Sequence, residues 1–182
     1  MNYLAAMGRI LSLTPFSSTE PAQLKHLQLY SIINVLILGL IYGLSAAFFS
    51  RILMIDAGGI TDSGMAKIII AGIPAAFFMH AGTALFLWVF LKAIGGKSEF
   101  ITAYFHIGAA AISLWPLAPF VAILQISPPT GLLLLFTGVF CCYAFTVNIL
   151  VVKQAFRLSA LRMAIATSIT VIYISCFLYL WL

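Results

Sequence analysis

Long apolar runs separated by short polar segments form the dominant pattern along this chain. Five of them reach about 20 residues, the length that an α-helix needs to cross the hydrocarbon core of a bilayer, and none contains Asp, Glu, Lys or Arg. The runs are residues 29–50, 68–91, 101–124, 131–152 and 164–182. Because an unpaired backbone amide costs several kcal/mol in hydrocarbon, such runs must be helices rather than strands. The pattern therefore predicts an all-α fold, an integral membrane bundle of five transmembrane helices forming one domain over residues 29–182.

The N-terminal segment, residues 1–28, carries a shorter apolar pattern with the period of a helix. The apolar side chains that share one helical face are Tyr3, Leu4, Met7, Ile10 and Leu11. This pattern favours a short amphipathic helix that lies in the membrane interface on the cytoplasmic side. Pro15 and the Ser-Ser-Thr-Glu-Pro run at 17–21 predict that this helix ends there and that the next one begins several turns before the first span.

The Lys and Arg residues between the apolar runs predict the orientation of the bundle. The N-terminal segment and the connections after the second and fourth runs lie on one side of the membrane. They carry seven of these residues, namely Arg9, Lys25, Lys92, Lys97, Lys153, Arg157 and Arg162. The opposite set carries two, Arg51 and Lys67. Because cytoplasmic loops are enriched in cations, we expect the N-terminus in the cytoplasm and the C-terminus outside. The seven cations are also candidate contacts for lipid headgroups or for an acidic partner.

Composition narrows the class of protein further. With 64% hydrophobic and only 7% charged residues, the chain has too little polar surface to cover a water-soluble globule. The net charge of +5 comes from cations that stand singly between apolar runs, so it does not indicate a nucleic-acid-binding surface. The three cysteines, Cys141, Cys142 and Cys176, lie inside apolar runs without the spacing of a zinc or redox motif, and we interpret them as packing residues.

Small residues and prolines within the spans indicate how the helices pack. Gly39, Gly43 and Ala47 recur every four residues in the first span, a spacing that lets another helix approach closely. That helix can belong to the same bundle or to a second protein. Three prolines remove backbone donors inside spans and predict kinks or local openings, namely Pro74, Pro116 and Pro119. Broken helices line substrate sites in some transporters, although a transmembrane proline is more often a simple bend.

Two histidines, His80 and His106, are the readily ionisable side chains at membrane depth, where such a group is by default a functional candidate. At 1.5 Å per helical residue their predicted depths differ by about 8 to 9 Å, which is unfavourable for sharing one metal ion. We therefore interpret each as a neutral histidine bonded to a neighbouring helix. Asn34 and Asn148 suit the same interhelical role.

Catalytic chemistry finds no support in the sequence. The four carboxylates all lie in loops or termini, at Glu20, Asp56, Asp62 and Glu99. General acid and base catalysis inside a membrane requires carboxylates or paired histidines within the spans, and no metalloprotease, hydrolase or phosphate-binding motif is present. We therefore predict a protein that is not an enzyme, with no catalytic residue, no bound metal and no cofactor.

Several short motifs occur in a characteristic order along the chain. They are Thr14-Pro15-Phe16, Gly95-Gly96-Lys97-Ser98-Glu99-Phe100, Ala103-Tyr104, Trp115-Pro116, Pro128-Pro129, and the run through Asn148, Leu158, Ser159 and Ala160 to Ala164. In order and spacing they resemble the signature of Yip-domain membrane proteins. This resemblance implies five spans with a cytoplasmic N-terminus, and membrane organisation through protein binding. Eukaryotic members bind prenylated Rab-type GTPases through a longer N-terminal region. This short form of the sequence is similar to bacterial members, and that similarity implies a location in the bacterial cytoplasmic (inner) membrane.

The sequence thus predicts a membrane adaptor or accessory subunit that binds membrane lipids and other integral membrane proteins, or itself, and no nucleic acid. The alternative is a small membrane channel or carrier for an unidentified solute. The two functions differ in whether polar side chains converge on a continuous cavity inside the bundle. The candidates for such a lining are Thr83, Ser113, Thr146, Asn148 and the two histidines.

Overall fold

A computed structural model describes residues 3–13, 21–53 and 61–168, with side chains in the second range described from Lys25 onward. Nearly all of these residues are helical and none lies in a strand, so the predicted all-α fold is confirmed for the described part. The helices are α1 (Tyr3–Leu11), α2 (Pro21–Leu53), α3 (Asp62–Ala93), α4 (Phe100–Ala110), α5 (Leu117–Ile126) and α6 (Gly131–Phe156), with a 3-10 turn at Ala111–Leu114 between α4 and α5. Residues 160–168 are also helical and are called α7.

Within the described ranges, three helices are long and apolar enough to cross a membrane: α2 from Lys25 onward, α3 and α6. The pair α4 and α5 makes a fourth candidate span if it counts as one, although the two helices are bent by 72° relative to each other. These helices coincide with the first four predicted apolar runs and are consistent with an integral membrane protein. Of the fifth run, residues 169–182 lie outside the described part of the chain, so a five-span bundle stays a prediction.

Local sequence explains where the long helices begin and end. Thr61 and Thr130 cap α3 and α6, because their side-chain oxygens accept hydrogen bonds from the backbone N–H groups of Gly64 and Leu133. Each bond satisfies a donor that the first turn of a helix leaves unpaired. α6 ends at Phe156, and the next residue, Arg157, has a left-handed backbone (φ 52°, ψ 45°) that turns the chain out of the helix. This turn sends the chain toward the loop between α3 and α4.

The break between α4 and α5 follows from Pro116. A proline lacks a backbone N–H, so residue 116 cannot donate to the Ile112 carbonyl as an α-helix requires. That carbonyl instead accepts a hydrogen bond from the Trp115 N–H at 3.2 Å, at the end of the 3-10 turn. A side chain of α2 bonds the backbone at the break, since Asn34 Nδ2 donates to the Ala109 carbonyl at 2.8 Å. In return, the indole N–H of Trp115 donates to the Asn34 carbonyl at 3.0 Å. The bent segment is therefore held against α2 by two hydrogen bonds.

The other two prolines lie within uninterrupted helices. Pro74 is inside α3, which runs through it from Asp62 to Ala93. Pro119 is the third residue of α5, a position where the missing N–H would have no helical acceptor in any case. Of these three prolines, all in the described part of the chain, Pro116 is the one next to an interruption of the helix.

The short helix α1 packs against the bundle. Its buried side chains are Ala6, Met7 and Ile10, whereas Leu4, which the sequence places on the same apolar face, is 74% exposed. The Tyr143 hydroxyl donates to the Leu11 carbonyl at 2.9 Å. Tyr143 lies 13 residues, or about 20 Å, before the end of α6, so the C-terminal end of α1 contacts α6 near the middle of that helix. Its position relative to a membrane interface stays a prediction.

Candidate functional site

α2 and α3 approach each other at glycines. A Cβ atom on Gly39 would lie 2.8 Å from the Gly72 carbonyl oxygen, and one on Gly43 would lie 2.8 Å from the Ile69 carbonyl oxygen. Ala47, one turn further along α2, is buried. The helix that Gly39 and Gly43 accommodate is therefore α3 of the same chain. Sequence reasoning missed Gly72, although its four-residue spacing to Ala76 was a signal of the same kind.

The loop between α3 and α4 packs on the loop between α6 and α7. The Lys97 backbone N–H donates to the Phe156 carbonyl at 3.4 Å, and the Arg162 guanidinium donates to the Gly95 carbonyl at 3.3 Å. Gly96 allows this contact, because a Cβ there would lie 2.8 Å from the Phe156 ring. The two loops and the helix ends that carry them form one surface, which we call the basic end.

The basic end brings together five of the seven cations singled out from the sequence. They are Lys92, Lys97, Lys153, Arg157 and Arg162. All are exposed except the half-buried Lys153. Glu99 is the one carboxylate among residues 92–100 and 153–162, all of which are described, so the basic end carries a net formal charge of +4. The remaining two cations lie on other elements, Arg9 on α1 and Lys25 on α2.

The charges near the α2–α3 connection are arranged differently. Arg51 and Asp62 form an ion pair at 3.5 Å, with side chains that are 60% and 92% exposed. A surface pair of this kind contributes between zero and about 1 kcal/mol to stability. It nevertheless neutralises one of the two cations on this side. The described residues near this connection therefore carry a net formal charge of +1, compared with +4 at the basic end.

A cavity of about 390 Å³ lies between α3 and α6, and we call it the α3–α6 groove. The break between α4 and α5 forms one wall, with Ala111, Leu114 and Leu117, while α7 contributes Met163 and Ala166. Three other lining side chains are exposed, so the groove is open to the surroundings on one side; they are Met79, Thr83 and Cys141. The volume is in the range of small-molecule binding sites in proteins.

Few polar side chains line this groove. Of the candidates for a polar cavity, His80, Thr83 and Asn148 contribute to the lining. Asn148 Nδ2 donates to the Ala144 carbonyl at 2.8 Å and to the hydroxyl oxygen of the buried Ser113 at 3.4 Å, so part of its hydrogen-bonding capacity is used inside the bundle.

The other candidates lie elsewhere. Thr146 is exposed and donates to the Cys142 carbonyl at 2.8 Å, and His106 Nδ1 is bonded to the Thr102 carbonyl of its own helix at 2.7 Å. The structure therefore brings together only part of the predicted polar set, and most of the groove is apolar.

His80 marks a junction of three helices. Its ring packs on Tyr104 of α4, with ring centroids 4.3 Å apart, and its Nε2 atom is buried without a hydrogen-bond partner in the described part of the chain. A Cβ atom on Gly108 would lie 3.0 Å from this nitrogen and would overlap the hydroxyl oxygen of Ser31 on α2. Gly108 is therefore required for α2, α3 and α4 to meet here. The sequence carried no spacing that marked Gly108 or Ser31.

A second polar cluster holds α1 against the bundle. The fully buried Asn34 accepts a hydrogen bond from the Tyr3 hydroxyl at 2.6 Å and donates to the Met7 sulfur at 3.1 Å. Burial raises the pKa of the Tyr3 phenol above its ordinary value, so at physiological pH the phenol is a neutral donor. Asn34 thus joins α1 and the α4–α5 break through a single side chain.

Among the residues that the structure describes, no group of three His, Cys, Asp or Glu side chains is placed to hold a metal ion. Comparisons with protein-family models, with curated proteins and with solved structures find no match to this chain.

Proposed function

We propose that this chain is a non-enzymatic membrane adaptor or accessory subunit whose basic end binds acidic groups of other membrane proteins or of lipids. The observation that carries this proposal is the basic end itself, where two packed loops present five cations and one carboxylate. Each Lys or Arg near an anionic membrane surface contributes about 1 kcal/mol. A net charge of +4 therefore contributes about 4 kcal/mol, or roughly a thousandfold in affinity.

The packing of the basic end supports binding beyond a purely topological role for its cations. The backbone contact between Lys97 and Phe156 and the bond from Arg162 to Gly95 hold the two loops in one arrangement. Cations on an ordered surface lose less conformational entropy on binding than cations on separate loops. The surface is therefore preorganised for an acidic partner.

The proposal includes the membrane and orientation that the sequence predicts. It places the basic end on the cytoplasmic side of a bacterial inner membrane, in a bundle of five spans that includes residues 164–182, with α1 at the membrane interface. The positive-inside rule supports this orientation. The resemblance of the Gly95–Phe100 loop to Yip-domain proteins supports the same arrangement of five spans with a cytoplasmic N-terminus.

A small channel or carrier is the second candidate, and the α3–α6 groove is the observation that favours it. A permeation path for a polar solute needs a continuous lining of polar groups. His80, Thr83 and Asn148 lie in the groove among mainly apolar side chains, while Thr146 and His106 are not among its lining residues. This distribution supports the adaptor over the channel.

Charge reversal at the basic end tests the proposal. The variant Lys97→Glu/Arg157→Glu changes two exposed cations, and Lys67→Glu is the matched control near the Arg51–Asp62 pair. Each protein is purified in mild detergent, and the co-purifying proteins and anionic phospholipids are quantified at low and at physiological salt. We expect the double variant to lose most of its anionic lipid or its protein partners, and the control to keep both.

Orientation must be verified in the same proteins, because Lys and Arg also set topology. A reporter that is active only outside the cytoplasm is fused after Leu182, and a second is inserted in the loop at 157–159. The first should be active and the second inactive in every variant. If correctly oriented double variant retains all partners and lipids at physiological salt, the basic end is not a binding surface and the adaptor proposal fails.

A further inference from the structure

We infer that α1 is a releasable strap, which occupies a cleft between α2 and α6 in the structure and exchanges with a position on the membrane surface while the rest of the bundle stays folded. This inference goes beyond the proposed function, whose binding surface includes no residue of α1. It rests on three features of α1: the bonds that hold it, the depth of those bonds in the bundle, and the amphipathic sequence that suits it to a second position.

Side-chain hydrogen bonds join α1 to two helices of the bundle. The Tyr3 hydroxyl donates to Asn34 Oδ1 at 2.6 Å, and the Tyr143 hydroxyl donates to the Leu11 carbonyl at 2.9 Å. Asn34 Nδ2 also donates to the Met7 sulfur at 3.1 Å. The Leu11 carbonyl belongs to the last turn of α1, where carbonyls have no partner within the helix. Water at a membrane surface can replace the bundle as the partner of this carbonyl and of the Tyr3 hydroxyl.

The apolar contacts of α1 favour the cleft only weakly in a membrane. Ala6, Met7 and Ile10 are buried against α2, α6 and the 3-10 turn. Lipid tails are as apolar as these side chains, so their burial in protein brings no hydrophobic gain over their burial in the bilayer. Leu4, in contrast, is 74% exposed. The position in the cleft is therefore stabilised mainly by the hydrogen bonds and by the packing of three side chains.

The bonds that hold α1 lie deep in the bundle. Along α2, Asn34 is nine residues, or about 14 Å, beyond Lys25, and along α6, Tyr143 is ten residues, or about 15 Å, before Lys153. Lys side chains near helix ends extend to the membrane surface, and half of the hydrocarbon core is about 15 Å thick. Asn34 and Tyr143 are therefore near the middle of a bilayer that surrounds this bundle.

The sequence of α1 suits a different depth as well. Its apolar residues follow a helical period, with Arg9 and Ser12 off the apolar face. An amphipathic helix of this kind binds at the boundary between headgroups and acyl chains, which is the position that the proposed function assigns to α1. Release to that position takes the Tyr3 hydroxyl away from Asn34 and opens the cleft between α2 and α6. The position of α1 therefore controls whether this side of the bundle is closed.

The rate at which a buried cysteine reacts tests the inference. Ala6→Cys reports on α1 and Ala84→Cys reports on the core beside α3, because both alanines are fully buried. Each protein is placed in nanodiscs and treated with a water-soluble maleimide. The native thiols are removed by Cys141→Ser, Cys142→Ser and Cys176→Ser. We expect Ala6→Cys to react at least tenfold faster than Ala84→Cys, because release of α1 exposes it without unfolding of the bundle.

Tyrosine variants show whether the two hydroxyl bonds hold the strap. Tyr3→Phe and Tyr143→Phe each keep the ring and lose one hydrogen bond, so each should speed the labelling of Ala6→Cys about fivefold, and the two together about twenty-fivefold. Tyr42→Phe is the matched control, because the Tyr42 hydroxyl bonds a side chain of α5. The core reporter in α3 should react at the same rate in all of these variants. Amide exchange in residues 3–13 of proteins without an added cysteine should show the same order.

The depth of α1 separates release from simple loosening. A fluorophore is attached to Leu4→Cys, a position that is exposed while α1 is in the cleft. Its quenching is measured with lipids that carry a spin label near the headgroup or near the middle of the bilayer. The deep spin label should quench more strongly in protein with both tyrosines intact. In Tyr3→Phe/Tyr143→Phe the ratio should shift toward the shallow spin label.

Two results would overturn the inference. Equal labelling rates for Ala6→Cys and Ala84→Cys would show that α1 separates only when the whole bundle unfolds. An unchanged quenching ratio in Tyr3→Phe/Tyr143→Phe would show that α1 has no second position at the membrane surface. The basic end is unaltered in every variant, so failure of this inference is distinguishable from failure of the proposed function.

Discussion

Replacing Gly72 by alanine is expected to push α2 away from α3 and to lower the stability of the bundle. A Cβ atom at this position would lie 2.6 Å from the Gly39 carbonyl oxygen and 2.9 Å from the Gly43 Cα atom. Both contacts are with backbone, which cannot move aside as a flexible side chain does. Ordinary van der Waals contact begins at 3.4 Å, so the helices must separate by about 0.8 Å locally.

The size of the effect follows from the contacts that this separation weakens. A radial gap of 0.5 to 1 Å forfeits about a quarter to a half of the dispersion energy of each contact. Of the helix pairs in the described part of the chain, α2 and α3 share the most extensive contact. Overpacking of this kind costs about 1 to 3 kcal/mol, and the higher helix propensity of alanine recovers up to about 1 kcal/mol. We expect a net loss of about 1 to 2 kcal/mol.

The measurement is the free energy of unfolding in mixed micelles, from a titration with a denaturing detergent followed by circular dichroism. Gly82→Ala is the matched control, because Gly82 lies on the same helix and a Cβ there meets no atom within 4 Å. The control should be neutral or slightly stabilising. If Gly72→Ala is as stable as Gly82→Ala, the reasoning from backbone contact is wrong and α2 and α3 are free to adjust.

Two further predictions concern the buried polar groups. Asn34→Ala removes the hydrogen bonds that join α1 and the α4–α5 break, so it should lower the free energy of unfolding by about 1 to 3 kcal/mol. It should also speed amide exchange in residues 3–13 more than Tyr3→Phe does. Unchanged exchange would mean that α1 is held by other contacts. Gly108→Ala should lower the midpoint of thermal unfolding because its Cβ overlaps Ser31 and crowds His80, and Ser31→Gly should recover part of the loss. Strict additivity of these two changes would contradict a shared contact.

The positions of the helices were predictable because they depend on the length of apolar sequence alone. The runs at 68–91 and 131–152 lie inside α3 and α6, and the polar residues at their ends extend both helices beyond the runs. The break near Pro116 was predictable for a similarly local reason, the missing N–H of proline. In contrast, Pro74 leaves α3 uninterrupted although it lacks the same N–H.

The partners of the helices were not predictable in the same way. The spacing of Gly39 and Gly43 indicated a close contact, but the importance of Gly72 and Gly108 depends on which backbone or side chain faces them. For α1, helical periodicity placed Leu4 on the buried face, whereas the structure buries Ala6 and exposes Leu4. A periodic pattern assumes one flat apolar surface, and α1 packs against parts of α2, α6 and the 3-10 turn instead.

The contact between α1 and α6 has a consequence for biosynthesis. The hydrogen bond from Tyr143 to Leu11 joins residues that are 132 positions apart. At a synthesis rate of about 5 to 20 residues per second, roughly 7 to 26 s pass between the translation of Leu11 and that of Tyr143. During this interval the apolar face of α1 has no binding site on α6. An amphipathic helix can spend that time on the surface of the bilayer, so the sequence of α1 must suit a temporary lipid environment as well as its final protein contacts.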